Sequence, residues 1–225
     1  MINEFEDKLL IQLLELQHGA IEISELKETC SQVDWAKGFP ESKEAFWNCA
    51  AFMWQRKIKK DKREMIKLEI QNLLGTSKHK NIDIGSGSYS YIPSVAFDCS
   101  KKMLDFNDSV LEKVQGDIEA KWPFENESFE TVTAVFVLNY LKNLDLVFSE
   151  IKRVLNQNGK LIAVISATGV TGLHKAQEKQ QRSFESWKEL FSNYFAVEKS
   201  YKKDGLWFFC LELLTCLEYY RYKSD

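Results

Sequence analysis

Three aspartates sit where a small polar ligand could be gripped: Asp83, Asp98 and Asp117. Asp83 closes an apolar run and opens Asp83-Ile84-Gly85-Ser86-Gly87. Glycine at 85 and 87 lets the backbone pass close to a ligand, or turn where a Cβ would forbid it. On its own, such a pair is also an ordinary turn out of a strand. Asp98 ends the short run Val95-Ala96-Phe97-Asp98. A carboxylate there can accept from two neighbouring hydroxyls, as on a ribose. It can equally serve as a turn or capping residue before a helix from Ser100 to Leu104. Asp117 stands in Gln115-Gly116-Asp117-Ile118. An acid beside an apolar residue suits a planar base such as adenine, polar to its amino group and apolar to its face.

These residues need strands to present them. Ile82–Ile84, Ser94–Phe97, Val110–Gln115 and Thr131–Phe136 read as strands separated by helical or loop segments. Leu144, Val147, Ile151, Val154 and Leu155 mark an amphipathic helix, and Asn158-Gly159 then turns the chain into a strand at Lys160–Ser166. The alternation argues a parallel sheet. At the end, Phe195–Tyr201, Lys203-Asp204-Gly205 and Leu206–Leu214 read as a β-hairpin. The expected fold is therefore α/β: a Rossmann-like doubly wound sheet, mostly parallel, with an antiparallel C-terminal hairpin. Residues 75–225 form that domain in this reading, and residues 1–74 a helical N-terminal extension capping its pocket.

In the extension, Phe5, Leu9, Leu10, Leu13 and Leu16 recur at helical spacing, and a short second helix covers Glu22–Cys30. Lys37-Gly38-Phe39-Pro40 breaks the chain. A long helical segment over Ser42–Leu74 follows, divided near the basic cluster Lys57–Arg63 and closed by Gly75. The connection from Gly85 to Pro93 is too short for a full crossover helix. Extended, it still reaches about 30 Å, enough to span a four-residue strand.

Composition narrows the function. The chain has 225 residues, 44% of them hydrophobic, and a formal net charge of −3 with a pI near 5.8. A dominant basic field for phosphate backbones is absent. Five cysteines without a C-x-x-C pair suit reduced thiols, and three scattered histidines argue against structural zinc; no metal is expected. No basic-then-apolar leader opens the chain, so a soluble cytoplasmic protein with no membrane contact is the expectation.

Five motifs in order resemble the class I S-adenosylmethionine-dependent methyltransferase family, especially its methyltransferase-11-like branch. They are Asp83-Ile-Gly-Ser-Gly-Ser-Tyr89; Asp98-Cys-Ser-Lys-Lys-Met-Leu104; Gly116–Phe124 running on to Ser128-Phe-Glu130; Val137-Leu-Asn-Tyr-Leu141; and Val154-Leu-Asn-Gln-Asn-Gly159. The resemblance covers roughly the last two-thirds of the chain. It implies S-adenosyl-L-methionine as cofactor, held by Asp83, Gly85, Ser86, Gly87, Asp98, Cys99, Met103, Asp117, Ile118, Val135 and Phe136. Phe46-Trp47-Asn48-Cys-Ala-Ala51 is similar to a helix that covers the cofactor in relatives, which adds Trp47; a plain core helix reads equally well. Two departures stand out: Tyr89 replaces the third loop glycine, and Asn139-Tyr140 replaces a commoner histidine pair.

The implied chemistry is methyl transfer by direct displacement, in which position and desolvation matter more than a strong base. Tyr140 is the acceptor-side candidate, against an ordinary packing role. The faces of Trp47 or Trp54 can attract a sulfonium. His174, in the polar stretch Gly169–Arg182, reads as a surface residue of a loop or lid, and Lys57–Arg63 as a solvated helix face. A small-molecule acceptor is expected ahead of tRNA, for which that basic run speaks, as does the short Gly85–Pro93 connection, which resembles that of some relatives acting on tRNA wobble uridines. The rival is a degenerate methyltransferase-fold binding protein, supported by Tyr89. A nicotinamide-dependent oxidoreductase fits poorly, because Asp98 follows Gly87 too closely.

Overall fold

The computed structural model describes residues 4–54, 58–75, 79–168 and 172–214. Helices α1 (Glu4–Gln17), α2 (Lys27–Ser31), α3 (Lys43–Trp54) and α4 (Lys60–Leu74) precede the first strand. Then come β1 (Asn81–Ile84), β2 (Val95–Asp98), α5 (Lys101–Phe106), β3 (Glu112–Gln115), β4 (Phe129–Val135), α6 (Leu144–Val154) and β5 (Leu155–Ser166). Helix α7 (Phe184–Ser192) and the hairpin β6 (Phe195–Lys203) and β7 (Leu206–Leu213) finish the described chain. No helix among the described residues is long and apolar enough to cross a membrane.

The strands form one sheet in the order β3-β2-β1-β4-β5-β7-β6. The first five pair in parallel, and β7 joins β5 antiparallel, as the alternating pattern and hairpin reading require. The hairpin turns at Asp204-Gly205, both left-handed at φ 47° and 72°, which matches the tight turn favoured by strand twist. The order reverses between β1 and β4, which makes the switch point where open α/β sheets bind ligands.

One face of the sheet is covered by α6 and α7. Leu144, Val147, Phe148, Ile151 and Val154 bury the inner stripe of α6. Each such side chain contributes on the order of 1.5–3 kcal/mol of burial. Asn143 caps that helix, its side chain accepting from Leu146 N–H at 3.1 Å. Under α6, Glu150 accepts from Trp122 N–H at 2.7 Å, while Arg153 donates to the carbonyls of Phe124 and Trp122. The Trp122–Phe129 motif is thus pinned as a structural loop. Strand β5 begins at Leu155, earlier than expected; a register shift then sets residues 156–159 out of the ladder, and regular pairing with β4 resumes at Lys160 after Asn158-Gly159.

The opposite face lacks a helix between β1 and β2. Residues 85–93 cross in turns and bends, consistent with the short connection. Helix α4 takes the vacant ground: Ile66, Ile70 and Leu73 pack with Tyr91 and Ile92 over Ile162, Val164 and Phe208. The helices ahead of Gly75 therefore divide between two cores. Helices α1 to α3 form their own cluster through Leu9, Leu13, Leu26, Phe46 and Cys49, joined by Met103 of α5. Asn48 of α3, 1% exposed, rivets that cluster to the sheet domain. Its side-chain oxygen accepts from Ser100 Oγ at 2.8 Å and Lys102 N–H at 3.1 Å, and its amide donates to Trp35 O at 2.8 Å. The split of the long helical segment falls where the basic cluster lies, and Gly75 ends α4 at φ 78°. Lys57 and Cys216 lie outside the described residues, and the four described cysteines are free.

Candidate active site

A cavity of about 390 Å³ opens over the carboxyl ends of β1, β2, β3 and β4. The loop after β1 forms its floor. Gly85 and Gly87 are both left-handed, at φ 57° and 58°, where only glycine sits without strain. They do different work. A Cβ on Gly85 would stand 2.2 Å from Val137 Cγ2, so this glycine serves the loop's contact with the chain after β4 rather than ligand space. A Cβ on Gly87 would project between Trp54 and Met103, 3.6 and 3.9 Å from their nearest atoms, into the cavity all three line.

Asp98 braces this floor. Its Oδ2 accepts from Gly87 N–H at 2.9 Å and its Oδ1 from Ser100 N–H at 2.8 Å. Ser100, not Asp98, caps α5, accepting from Met103 N–H at 3.0 Å. Each carboxylate oxygen has two acceptor positions, so the bracing leaves acceptor capacity facing the cavity. Burial pushes the Asp98 carboxyl up, against hydrogen bonds from the Ser100, Gly87 and Cys99 backbone and the Cys99 thiol that favour its ionised form. Asn107, fully buried, donates to Gly87 O at 3.3 Å and Ser90 Oγ at 3.1 Å and holds the loop from behind. Asp83 sits deeper. Burial pushes its carboxyl up to about 6, although Thr133 Oγ1 donates to it at 2.7 Å.

At the far end, Asp117 and Ile118 line the cavity with Cys99 and Met103. Lys43, from the start of α3, donates to both Asp117 oxygens at 2.9 and 3.0 Å and to Glu119 at 2.7 Å. Burial works against the Lys43 ammonium, but the two carboxylates outweigh it and raise its pKa. Burial likewise pushes the Cys99 thiol up, leaving it protonated.

The roof is aromatic. Trp47 and Trp54 of α3 and Tyr140 line the cavity, with ring centroids 4.8 Å apart for Trp47 and Tyr140 and 6.0 Å for Trp47 and Trp54. Val135 and Phe136 form the wall below Tyr140, which lies in a 3₁₀ turn over Leu138–Tyr140. Burial, and then the Glu178 carboxylate, push the Tyr140 phenol upward, so it stays neutral and can donate a hydrogen bond. His174 is not the surface residue its polar neighbourhood implied. It is 5% exposed and packs against Phe46, Trp47 and Trp54 at centroid distances of 5.9, 5.7 and 5.1 Å. The segment it belongs to is strapped down: Lys179 and Gln180 N–H groups donate to Asn139 O, and Gln177 Nε2 to Pro40 O.

Every residue singled out from the sequence for the site lines this one cavity. Others were missed. Lys43 and Asn107 act across the chain, 74 residues from Asp117 and 20 from Gly87, and no local pattern signals them. Arg63 was placed on a solvated face; it lines the cavity instead, with Ile58, Tyr89 and Tyr91. The charged run hid it, because only the angle at which α4 meets the sheet separates Arg63 from its exposed neighbours Lys59 and Lys60.

Residues 82–163 match the family model described as "Methyltransferase domain". That match runs from β1 into β5, across the parallel strands of the Rossmann-like sheet. A solved S-adenosylmethionine-dependent methyltransferase of Aquifex aeolicus superposes with a TM-score of 0.58 at 13% identity, covering 73% of this chain and 98% of that one. One from Thermotoga maritima gives 0.54 at 14%, covering 67% and 89%. At such identities the likeness shows the fold. A 42-residue stretch is 48% identical to the sterol 4-C-methyltransferase strm-1 of Caenorhabditis elegans, spanning 19% of this chain and 13% of that protein.

Proposed function

We propose that the protein transfers the methyl group of S-adenosylmethionine to a small-molecule acceptor. The observation that carries this reading is convergence: a left-handed glycine loop, a buried acid at the end of β2 and an acid-plus-apolar pair after β3 all face one cavity. The residues fit the cofactor. Gly87 leaves room that a Cβ would fill, Asp98 has acceptor capacity for vicinal hydroxyls, and Ile118 and Met103 offer apolar contact to a base. When bound, S-adenosylmethionine supplies an electrophilic methyl group on a sulfonium. Trp47 and Trp54 present aromatic surface that attracts positive charge and excludes water. In this reading Tyr140 donates a hydrogen bond to the acceptor and orients it, supported by its neutral phenol and its place in the cavity lining. The strap over residues 172–180 and the aromatic roof favour a small acceptor, because a bulky nucleic acid must enter beneath both.

The degenerate-protein reading rested on Tyr89. Its ring is turned onto Tyr91 and Arg63, at 5.2 and 4.8 Å, and the cavity keeps a volume usual for small-molecule sites. Calorimetry with S-adenosylmethionine and S-adenosylhomocysteine tests the proposal. Both should bind with one-to-one stoichiometry, and Asp98→Ala should weaken each about ten-fold or more through lost charge-assisted hydrogen bonds. A folded protein that binds neither compound refutes the reading.

A further inference from the structure

We infer that the ion pair of Lys43 and Glu119 positions Trp47 against Tyr140, and so sets the aromatic wall at the reacting end of the cavity. The inference rests on the methyl-transfer reading. Lys43 is the first residue of α3, and Trp47 follows one helical turn later on the same side. Glu119 holds the facing segment. Its Oε1 accepts from Lys142 N–H at 2.7 Å and Asn143 N–H at 2.8 Å, two and three residues after Tyr140. Its Oε2 accepts from Lys43 Nζ at 2.7 Å. One carboxylate thus ties the chain after Tyr140 to the start of the helix that carries Trp47. The two rings meet at 4.8 Å with 79° between their planes.

The Tyr140 turn needs such an anchor. Tyr140 N–H donates to Val137 O at 2.9 Å, but Leu141 N–H reaches Leu138 O only at 3.4 Å, so the turn closes weakly on itself. The strap clasps Asn139, and Glu119 fixes the residues that follow. Exposed ion pairs hold little, because water competes and long side chains wander. Here the Glu119 side chain is only 10% exposed. Burial works against its carboxylate, but Lys43 and the N–H groups of Asn143 and Lys142 outweigh that and hold the carboxyl below its usual range. Lys43 is fixed in turn by Asp117, whose Oδ1 also accepts from Glu119 N–H at 2.9 Å. Placement matters for a direct displacement: a shift of about 1 Å can cost about a hundred-fold in rate.

The test uses the full chain and two ligands of similar shape that differ in charge at the reacting atom. Sinefungin carries an ammonium group where the methyl sulfonium stands, and S-adenosylhomocysteine is neutral there. Aromatic faces at that point should make the native protein prefer sinefungin by about three-fold or more. Trp47→Leu should erase the preference. Glu119→Ala and Lys43→Met should each erase it too, although one removes an acid and the other a base. Charge alone predicts opposite shifts, because losing Lys43 favours a cationic ligand and losing Glu119 disfavours it. Glu119→Gln keeps an oxygen for Lys142 and Asn143 but no charge for Lys43, so it should fall between, and Lys43→Arg should keep the preference. Thermal unfolding verifies that each variant is folded. Equal weakening of both ligands by Glu119→Ala and Lys43→Met assigns the pair to structure and overturns the inference. Opposite shifts in the two variants overturn it as well, as does a preference that is absent from the native protein or survives Trp47→Leu. Native protein that binds neither ligand overturns the methyl-transfer reading and this inference with it, an outcome distinct from the others.

Discussion

Asp83 shows how one side chain couples the site to stability. Its carboxyl is pushed from its ordinary 3.8 to about 6 by burial. The fold thus favours the protonated form, and the native state binds more protons than the unfolded one between those values. Stability from this group is fully present below 3.8 and is lost as pH rises through 6, by roughly 3 kcal/mol for a shift of about two units. Asp83→Asn keeps an acceptor for Thr133 and removes the titration. Urea unfolding from pH 4 to 8 should show the variant gaining on the native protein as pH rises; parallel curves sink the claim. The two glycines part company at this scale too. Gly85→Ala combines left-handed strain of about 1–2 kcal/mol with overpacking against Val137 of about 1–3 kcal/mol. Val137→Ala should recover part of the loss in melting temperature. Gly87→Ala carries the same left-handed strain but meets no close atom, so it should lose less melting temperature than Gly85→Ala yet bind S-adenosylhomocysteine poorly. Native affinity in Gly87→Ala removes that loop from the ligand's path.

Among the elements, the contact between α3 and α5 matters most for the site, because α3 brings Trp47 and Trp54 and α5 brings Met103. That contact turns on Asn48, whose three hydrogen bonds join α3, the cap of α5 and the turn at Trp35. Asn48→Ala leaves a buried hydroxyl, an N–H and a carbonyl without that partner, each costing about 1–3 kcal/mol if unmet. Hydrogen exchange at Lys102 N–H should accelerate in the variant, together with a clear drop in melting temperature. Exchange at the native rate means the helices are held by apolar packing alone. The elements themselves were legible where period and caps agree: the stripe of α6 declares itself at 3.6-residue spacing, and the glycine after α4 ends it.

At the scale of the molecule, the N-terminal helices are part of the site's construction. Met103 belongs to their apolar cluster and also lines the cavity, and Glu6 of α1 reaches Trp35 Nε1 at 2.8 Å and Lys102 Nζ at 3.6 Å. Removing residues 1–36 strips Leu9, Leu13, Leu26, Cys30 and Val33 from that cluster and exposes the back of α3. The truncated protein should melt earlier and bind S-adenosylhomocysteine more weakly, because Trp47 and Trp54 lose the support that fixes them. Unchanged affinity in a folded truncation makes these helices an appendage.

The resemblance of five ordered motifs grouped Asp83, Gly85, Gly87, Asp98 and Asp117, while the order of strands along the chain, the hairpin and the glycine turns were determined by the sequence alone. They depend on local physics: alternation decides strands, glycine permits left-handed turns, and strand ends fall where the period stops. The tertiary structure decided the rest. It put His174 among three aromatic rings, turned Arg63 out of a charged run into the cavity, and set Val137 against Gly85. It also assigned α4 to the sheet and α1 to α3 to a separate cluster. Each of these depends on the angle and depth at which distant segments pack. A burial pattern along one segment records which side is apolar, but not which partner will cover it.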